Sequence, residues 1–128
     1  AFDKYLEEGK PAYVSKEKLT PAEGIRLIAR AKGIPVLAHP KSLGLTEWEL
    51  DQLIESLKCE GLMGIEVYYS THSEEETALY LKLARKHQLL LTGGSDFHGA
   101  PKPEIRLGKG LGDLQVCEYL LEELKKVR

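Results

Sequence analysis

The sequence predicts an α/β fold in which parallel strands alternate with helices, and three observations point to it. Helix-start signals recur at Thr20, Thr46 and Ser73, and a short apolar run follows each helix they open. The units are roughly thirty residues long, the spacing of strand and crossover helix in a parallel sheet. The runs are almost wholly apolar, as expected for strands covered on both faces.

Thr20-Pro21-Ala22-Glu23 is a capping box with proline at the first helical position. Ile25, Ile28 and Ala29 fall on one helical face, and Gly33 stops the helix. Ile34–Ala38 then reads as a buried strand ending at His39. Thr46-Glu47-Trp48-Glu49 opens the second helix, with Leu50, Leu53, Ile54 and Leu57 as its apolar stripe and Gly61 as its stop. Gly64–Tyr68 is the second strand. Ser73-Glu74-Glu75-Glu76 opens a third helix that buries Leu79, Tyr80, Leu83 and Ala84. Leu89–Thr92 is the third strand and runs into a Gly93-Gly94 turn. A last helix is expected from about Asp113, burying Val116, Leu120, Leu121 and Leu124. Residues 1–19 read as an N-terminal arm or the end of an inserted subdomain. Within it Phe2, Tyr5 and Leu6 form a short helix ending at Gly9, and Pro11–Val14 is extended.

Composition bounds the function. The 128 residues are 42% hydrophobic and 30% charged, with 18 basic against 20 acidic side chains and a formal charge of -2. No basic surface for nucleic acid is implied, and no apolar run approaches the roughly 18 residues of a membrane span. Ala1-Phe2-Asp3-Lys4 has neither a signal-peptide core nor an initiator methionine; a cytoplasmic protein is expected, and the missing methionine fits either processing or a chain whose first part has been removed. Cys59 and Cys117 are far apart and are expected as reduced, partly buried thiols. Nucleotide-motor, serine-hydrolase and dinucleotide motifs are absent.

The chemistry gathers at strand ends. Asp96 and His98, in Gly93-Gly94-Ser95-Asp96-Phe97-His98-Gly99, are separated by one residue, so in extended backbone both side chains point the same way. A carboxylate and an imidazole converging there suit Mn²⁺, Fe²⁺ or Zn²⁺. The alternative is a turn in which Asp96 caps backbone amides and His98 is exposed. His39 lies at the same edge of the sheet, where α/β proteins place their sites. Glu66 interrupts an apolar strand and must be paired, since burying it alone is costly. It either supports a ligand histidine from behind or bridges to a neighbouring strand. His72 and Lys41 are candidates for a substrate phosphate, as are Arg106 and Lys109, each weighed against solvated surface. His87 reads as a partner of a helix C-terminus, and Glu74–Glu76 as capping charge.

Val36-Leu37-Ala38-His39-Pro40, Gly64-Ile65-Glu66-Val67-Tyr68-Tyr69 and Gly93–Gly99, in this order, resemble the polymerase and histidinol phosphatase (PHP) family. The metal-dependent phosphoesterase branch that includes 3′,5′-nucleoside bisphosphate phosphatases is the most similar. The resemblance implies a distorted seven-stranded β/α barrel, TIM-like, with residues 20–128 as its C-terminal portion. It implies a trinuclear site in which His39, Asp96 and His98 ligate different ions, Mn²⁺ favoured. A metal-activated hydroxide would attack a phosphate ester, of a nucleotide or short oligonucleotide. The family's early His-x-His is missing: the histidines are His39, His72, His87 and His98 alone. The chain is therefore expected to hold part of the ligand set and to self-associate or pair with an N-terminal half. The competing reading is a non-enzymatic scaffold or partner-binding module built on the same fold.

Overall fold

The computed structural model describes residues 18–127, together with Tyr5 and residues 9–11. The helix expected around Phe2 and Leu6 and the extended stretch to Val14 lie mostly outside them. The element order is α1 (Pro21–Arg30), β1 (Val36–Leu37), a 3-10 turn (Pro40–Leu43), α2 (Glu47–Cys59), β2 (Gly64–Tyr69), α3 (Glu74–Lys86), β3 (Leu90–Gly94) and α4 (Tyr119–Lys126).

All three capping boxes form. In each, the N-cap hydroxyl accepts from the backbone N–H three residues on, and that residue's carboxylate accepts from the N-cap N–H. At Thr46 the two bonds are 3.3 and 2.8 Å. Such a cap contributes about 1 kcal/mol, enough to set where a helix begins. Acidic first turns and basic last turns then follow the helix dipole in α1, α2 and α3.

The strands form a three-stranded sheet in the order β1-β2-β3, parallel throughout. β2 is central, and its Ile65 and Val67 are fully buried against a core of Leu50, Ile54, Leu57, Leu62, Tyr80, Leu83 and Ala84. Of the strand residues only these two and Gly64 are buried, so the expectation of strands covered on both faces holds for part of β2 alone. β1, β3, Glu66 and Tyr68 are half-buried, because the helices cover one face more completely than the other. β1 is two residues long, shorter than expected. β3 continues through Gly93 to Gly94, where a turn was expected, in register with Tyr68 and Tyr69. Glycine is needed there: a Cβ on Gly93 would stand 2.7 Å from the Tyr68 carbonyl oxygen and Cβ.

Three further expectations change. Ile28 and Ala29 of α1 are exposed, and Ile25 alone enters the core. The last helix starts at Tyr119 rather than near Asp113, because Gly112 and Leu114 direct their N–H groups back to the Lys109 carbonyl. Of its expected apolar face Leu120 is buried, Leu124 half-buried, and Val116 and Leu121 exposed. Cys59 and Cys117 are free and exposed, not partly buried. Among the described residues no helix is long and apolar enough to cross a membrane.

Candidate metal centre

A cleft of about 510 Å³ opens at the C-terminal ends of the three strands, lined by His39, Lys41, Ser42, Tyr69, Thr71, Asp96, His98 and Lys102. β1 delivers His39, β2 delivers Tyr69, and β3 delivers Asp96 and His98. A parallel sheet puts all these ends on one side, which is why residues 57 positions apart in the chain meet (96 − 39 = 57).

The backbone is strained at the two central positions. Among the described residues four non-glycine residues have positive φ: Lys32, His39, Gln88 and Asp96. Lys32 and Gln88 follow the ends of α1 and α3, where a left-handed residue is usual. His39 (φ 31°) and Asp96 (φ 54°) have no such role. Left-handed backbone costs on the order of 1–3 kcal/mol at a non-glycine residue and persists where the surroundings over-determine it. Glu66 Oε2 accepts the His39 backbone N–H at 2.8 Å, and the Ser42 hydroxyl donates to the His39 carbonyl at 2.8 Å. Asp96 Oδ2 accepts from the Tyr69 hydroxyl at 2.9 Å and from Lys102 Nζ at 2.8 Å. Just behind it, buried Ser95 receives the Ser70 hydroxyl on its carbonyl at 2.6 Å and the Gly108 N–H on its own hydroxyl at 3.2 Å.

These contacts fix the histidine tautomers. The Ser42 hydroxyl spends its hydrogen on the His39 carbonyl, so towards His39 Nδ1, 3.1 Å away, it can only accept. In the neutral tautomer that matches these contacts, His39 carries its proton on Nδ1 and leaves Nε2 free. His98 Nδ1 lies 2.6 Å from the Asp96 carbonyl, an acceptor, and His98 too presents Nε2. A ring nitrogen donating to a backbone oxygen while the other is left free is the usual arrangement of a metal-ligating histidine. The Lys102 ammonium holds the Asp96 carboxyl below its ordinary range, with the Tyr69 hydroxyl adding to the effect. Burial, then the Asp96 carboxylate, pushes the Tyr69 phenol up to about 12, so it remains a donor.

Asp96 and His98 are not related by extended geometry as the spacing predicts. The left-handed Asp96 makes a turn, and the turn brings His98 Nδ1 to 3.6 Å from Asp96 Oδ1. Nor does Asp96 cap backbone amides, although the turn and the exposed His98 of that alternative are both present. Glu66 accepts the backbone N–H of His39 and does not touch its ring. Lys41 lines the cleft, held by the Thr71 carbonyl and Glu76 Oε2, each at 2.8 Å. His72 lines an adjoining cleft with Tyr68, Tyr69, Asp113 and Gln115. Its Nδ1 donates to the Val67 carbonyl at 2.8 Å, and its ring packs between Tyr69 and Tyr80. Its buried Nε2 has no partner among the described residues. Arg106 and Lys109 line neither cleft. His87 caps α3 and meets Asp51 at 2.7 Å. Tyr69, Ser42 and Lys102 are absent from the residues singled out by sequence. Tyr69 was legible in principle as the last residue of a strand aimed at the same edge.

Two imidazole nitrogens with free lone pairs and one ionised carboxylate suit a divalent ion in kind. They fall short in number: among the described residues no three histidine, cysteine, aspartate or glutamate side chains stand together closely enough to hold a metal ion.

The chain is similar to proteins that cleave phosphate esters. It is 35% identical over 124 residues to a 3′,5′-nucleoside bisphosphate phosphatase of Chromobacterium violaceum, an alignment spanning 97% of this chain and 44% of that protein. It is 36% identical over 110 residues to the 5′-3′ exoribonuclease Rnm of Escherichia coli, covering 86% of this chain and 37% of that one. A Bifidobacterium adolescentis structure described as a metal-dependent phosphoesterase superposes with a TM-score of 0.70 at 28% identity, over 94% of this chain and 41% of the other. The chain thus spans less than half the length of the relatives it matches. No family model matches it.

Proposed function

We propose that this chain carries part of the active site of a PHP-type phosphoesterase, with His39, Asp96 and His98 as divalent-metal ligands. The observation that carries this reading is that His39, Asp96 and His98 line one cleft from two strand ends, with Nδ1 of each histidine engaged elsewhere. The parallel sheet is then one part of a distorted seven-stranded barrel, with residues 20–128 its C-terminal portion and 1–19 an arm or the end of an inserted subdomain. The rest of the ligand set comes from outside this chain, which accords with three donors too dispersed to hold an ion alone. Exposed Leu27 and Ile28 of α1, and Leu107, Leu111 and Leu121, form apolar surface for the remaining part of the protein to cover.

His39, Asp96 and His98 would hold a divalent ion, Mn²⁺ before Fe²⁺ or Zn²⁺, which when bound would supply Lewis acidity for phosphate-ester hydrolysis. The chain's own residues do the positioning. Asp96 stays ionised at neutral pH because Lys102 and Tyr69 favour its charged form. Glu66 and Ser42 hold His39 in its left-handed turn with Nε2 outward. Lys41, fixed by Thr71 and Glu76, offers a cation to a phosphate in the same cleft, and His72 lines the adjoining one. The substrates are phosphate esters of nucleotides or short oligonucleotides, in keeping with what the relatives are named for, and the setting is cytoplasmic. The test is Mn²⁺-dependent phosphate release from a nucleoside 3′,5′-bisphosphate by the full-length protein. His39→Ala and Asp96→Ala should abolish it, and full activity in either overturns the reading.

One observation favours a second reading. Because no complete donor cluster exists among the described residues, the fold can serve as a scaffold without catalysis. Full-length protein that releases no phosphate and binds no Mn²⁺ would establish that alternative.

A further inference from the structure

A second hollow, of about 300 Å³, adjoins the first cleft, and Tyr69 lines both. The bond from the Tyr69 hydroxyl to Asp96 holds that ring in place between them. The two hollows differ in charge. The first is lined by Lys41 and Lys102; among the described residues the second has no lysine or arginine and one carboxylate, Asp113. Neither the Asp113 carboxylate nor the Gln115 amide has a hydrogen-bond or ion-pair partner among the described residues, so both are available to a ligand. His72, on the same lining, donates from Nδ1 to the Val67 carbonyl, and its buried Nε2 has no partner. In the neutral tautomer that matches this bond, Nε2 is an acceptor. A carboxylate accepts hydrogen bonds and repels anions. The group that suits this hollow is therefore neutral and carries hydroxyl or amino donors, and its volume is at the lower end for small-molecule sites.

We propose that the hollow of Asp113, Gln115 and His72 takes the nucleoside part of a substrate whose phosphate enters the lysine-lined cleft, with Tyr69 between the two parts. This rests on the phosphoesterase reading and divides the substrate between two sites. A nucleotide has the same division as the surface: an anionic phosphate joined to a neutral body with hydroxyl donors on the sugar and, in adenine, an amino donor on the base. Asp113 accepts from such a donor and turns a second phosphate away. His72 then serves the nucleoside and not the phosphate.

Adenosine, which carries no phosphate, is the probe, titrated calorimetrically into the full-length protein with no metal added. Wild type should bind it, and Asp113→Ala should weaken binding about fivefold, the scale of one lost hydrogen bond. Asp113→Glu, which keeps the acceptor, should retain more of the affinity. Inorganic sulfate should not displace adenosine, because it belongs in the lysine-lined cleft. In turnover, the kcat/KM preference for adenosine monophosphate over methyl phosphate should fall by a similar factor in Asp113→Ala, through KM and not kcat. No adenosine binding, binding that Asp113→Ala leaves unchanged, or displacement by sulfate overturns the nucleoside site, while phosphate release by wild type keeps the phosphoesterase reading standing. Wild type that releases phosphate from neither ester overturns both together.

Discussion

The Tyr69 hydroxyl donates to Asp96 Oδ2 at 2.9 Å, tying the end of β2 to the turn that follows β3. Oδ2 also holds Lys102, so the second oxygen, Oδ1, is the one turned towards His98. The hydroxyl thus decides which face of the carboxylate the cleft receives. Tyr69→Phe keeps the ring and its packing beside His39 and His72 and removes only that bond. Mn²⁺ affinity of the full-length protein should fall roughly tenfold, the scale seen when an outer hydrogen bond to a metal ligand is lost. The melting temperature should stay within a few degrees of wild type. A calorimetric titration beside a thermal melt separates the two effects, and unchanged affinity would remove Tyr69 from the account.

The core prediction contrasts two residues of α2. Ile54 is completely buried at the centre of the cluster, whereas Trp48 is 71% exposed. Ile54→Ala leaves a cavity under the sheet and should cost about 2–5 kcal/mol. Trp48→Ala should change stability by no more than about 0.5 kcal/mol despite deleting a larger side chain. Urea denaturation of both variants checks the order; equal losses would mean that the helix packs differently.

Asp51 gives a pH dependence. The Lys86 ammonium, at 2.5 Å, and then His87 hold its carboxyl below the ordinary value. A carboxyl whose folded value is depressed stabilises the fold above its unfolded value of about 3.9, and that contribution disappears as pH falls through the folded value. Urea midpoints measured from pH 7 to pH 2.5 should therefore fall more steeply in wild type than in Asp51→Asn. The two curves should converge at the acid end. Parallel curves would show that the pair contributes nothing.

Much of the scaffold was legible because its signals are local. Thr20, Thr46 and Ser73 each carry their partner carboxylate three residues away, so the helix starts follow from sequence alone. His39 and Asp96 could be placed at one edge because every parallel strand ends on the same side. What sequence spacing could not supply was backbone handedness and distant pairing. The left-handed turn at Asp96 replaced the extended arrangement, and it depends on contacts from Tyr69, 27 positions earlier. Glu66 was readable as a carboxylate needing a partner, but the partner, the N–H of His39, is set by the register of β1 on β2. Lys102 had no signal at all: six residues beyond Asp96, it returns to it only through the loop's path. The start of α4 was misplaced because it has no side-chain cap to mark it.

The most direct test of the metal site is a Mn²⁺ titration of the full-length protein against its His39→Ala and Asp96→Ala variants. Loss of either ligand should weaken binding by about tenfold or more. Wild-type affinity in both variants would contradict the assignment of His39 and Asp96 to one metal centre.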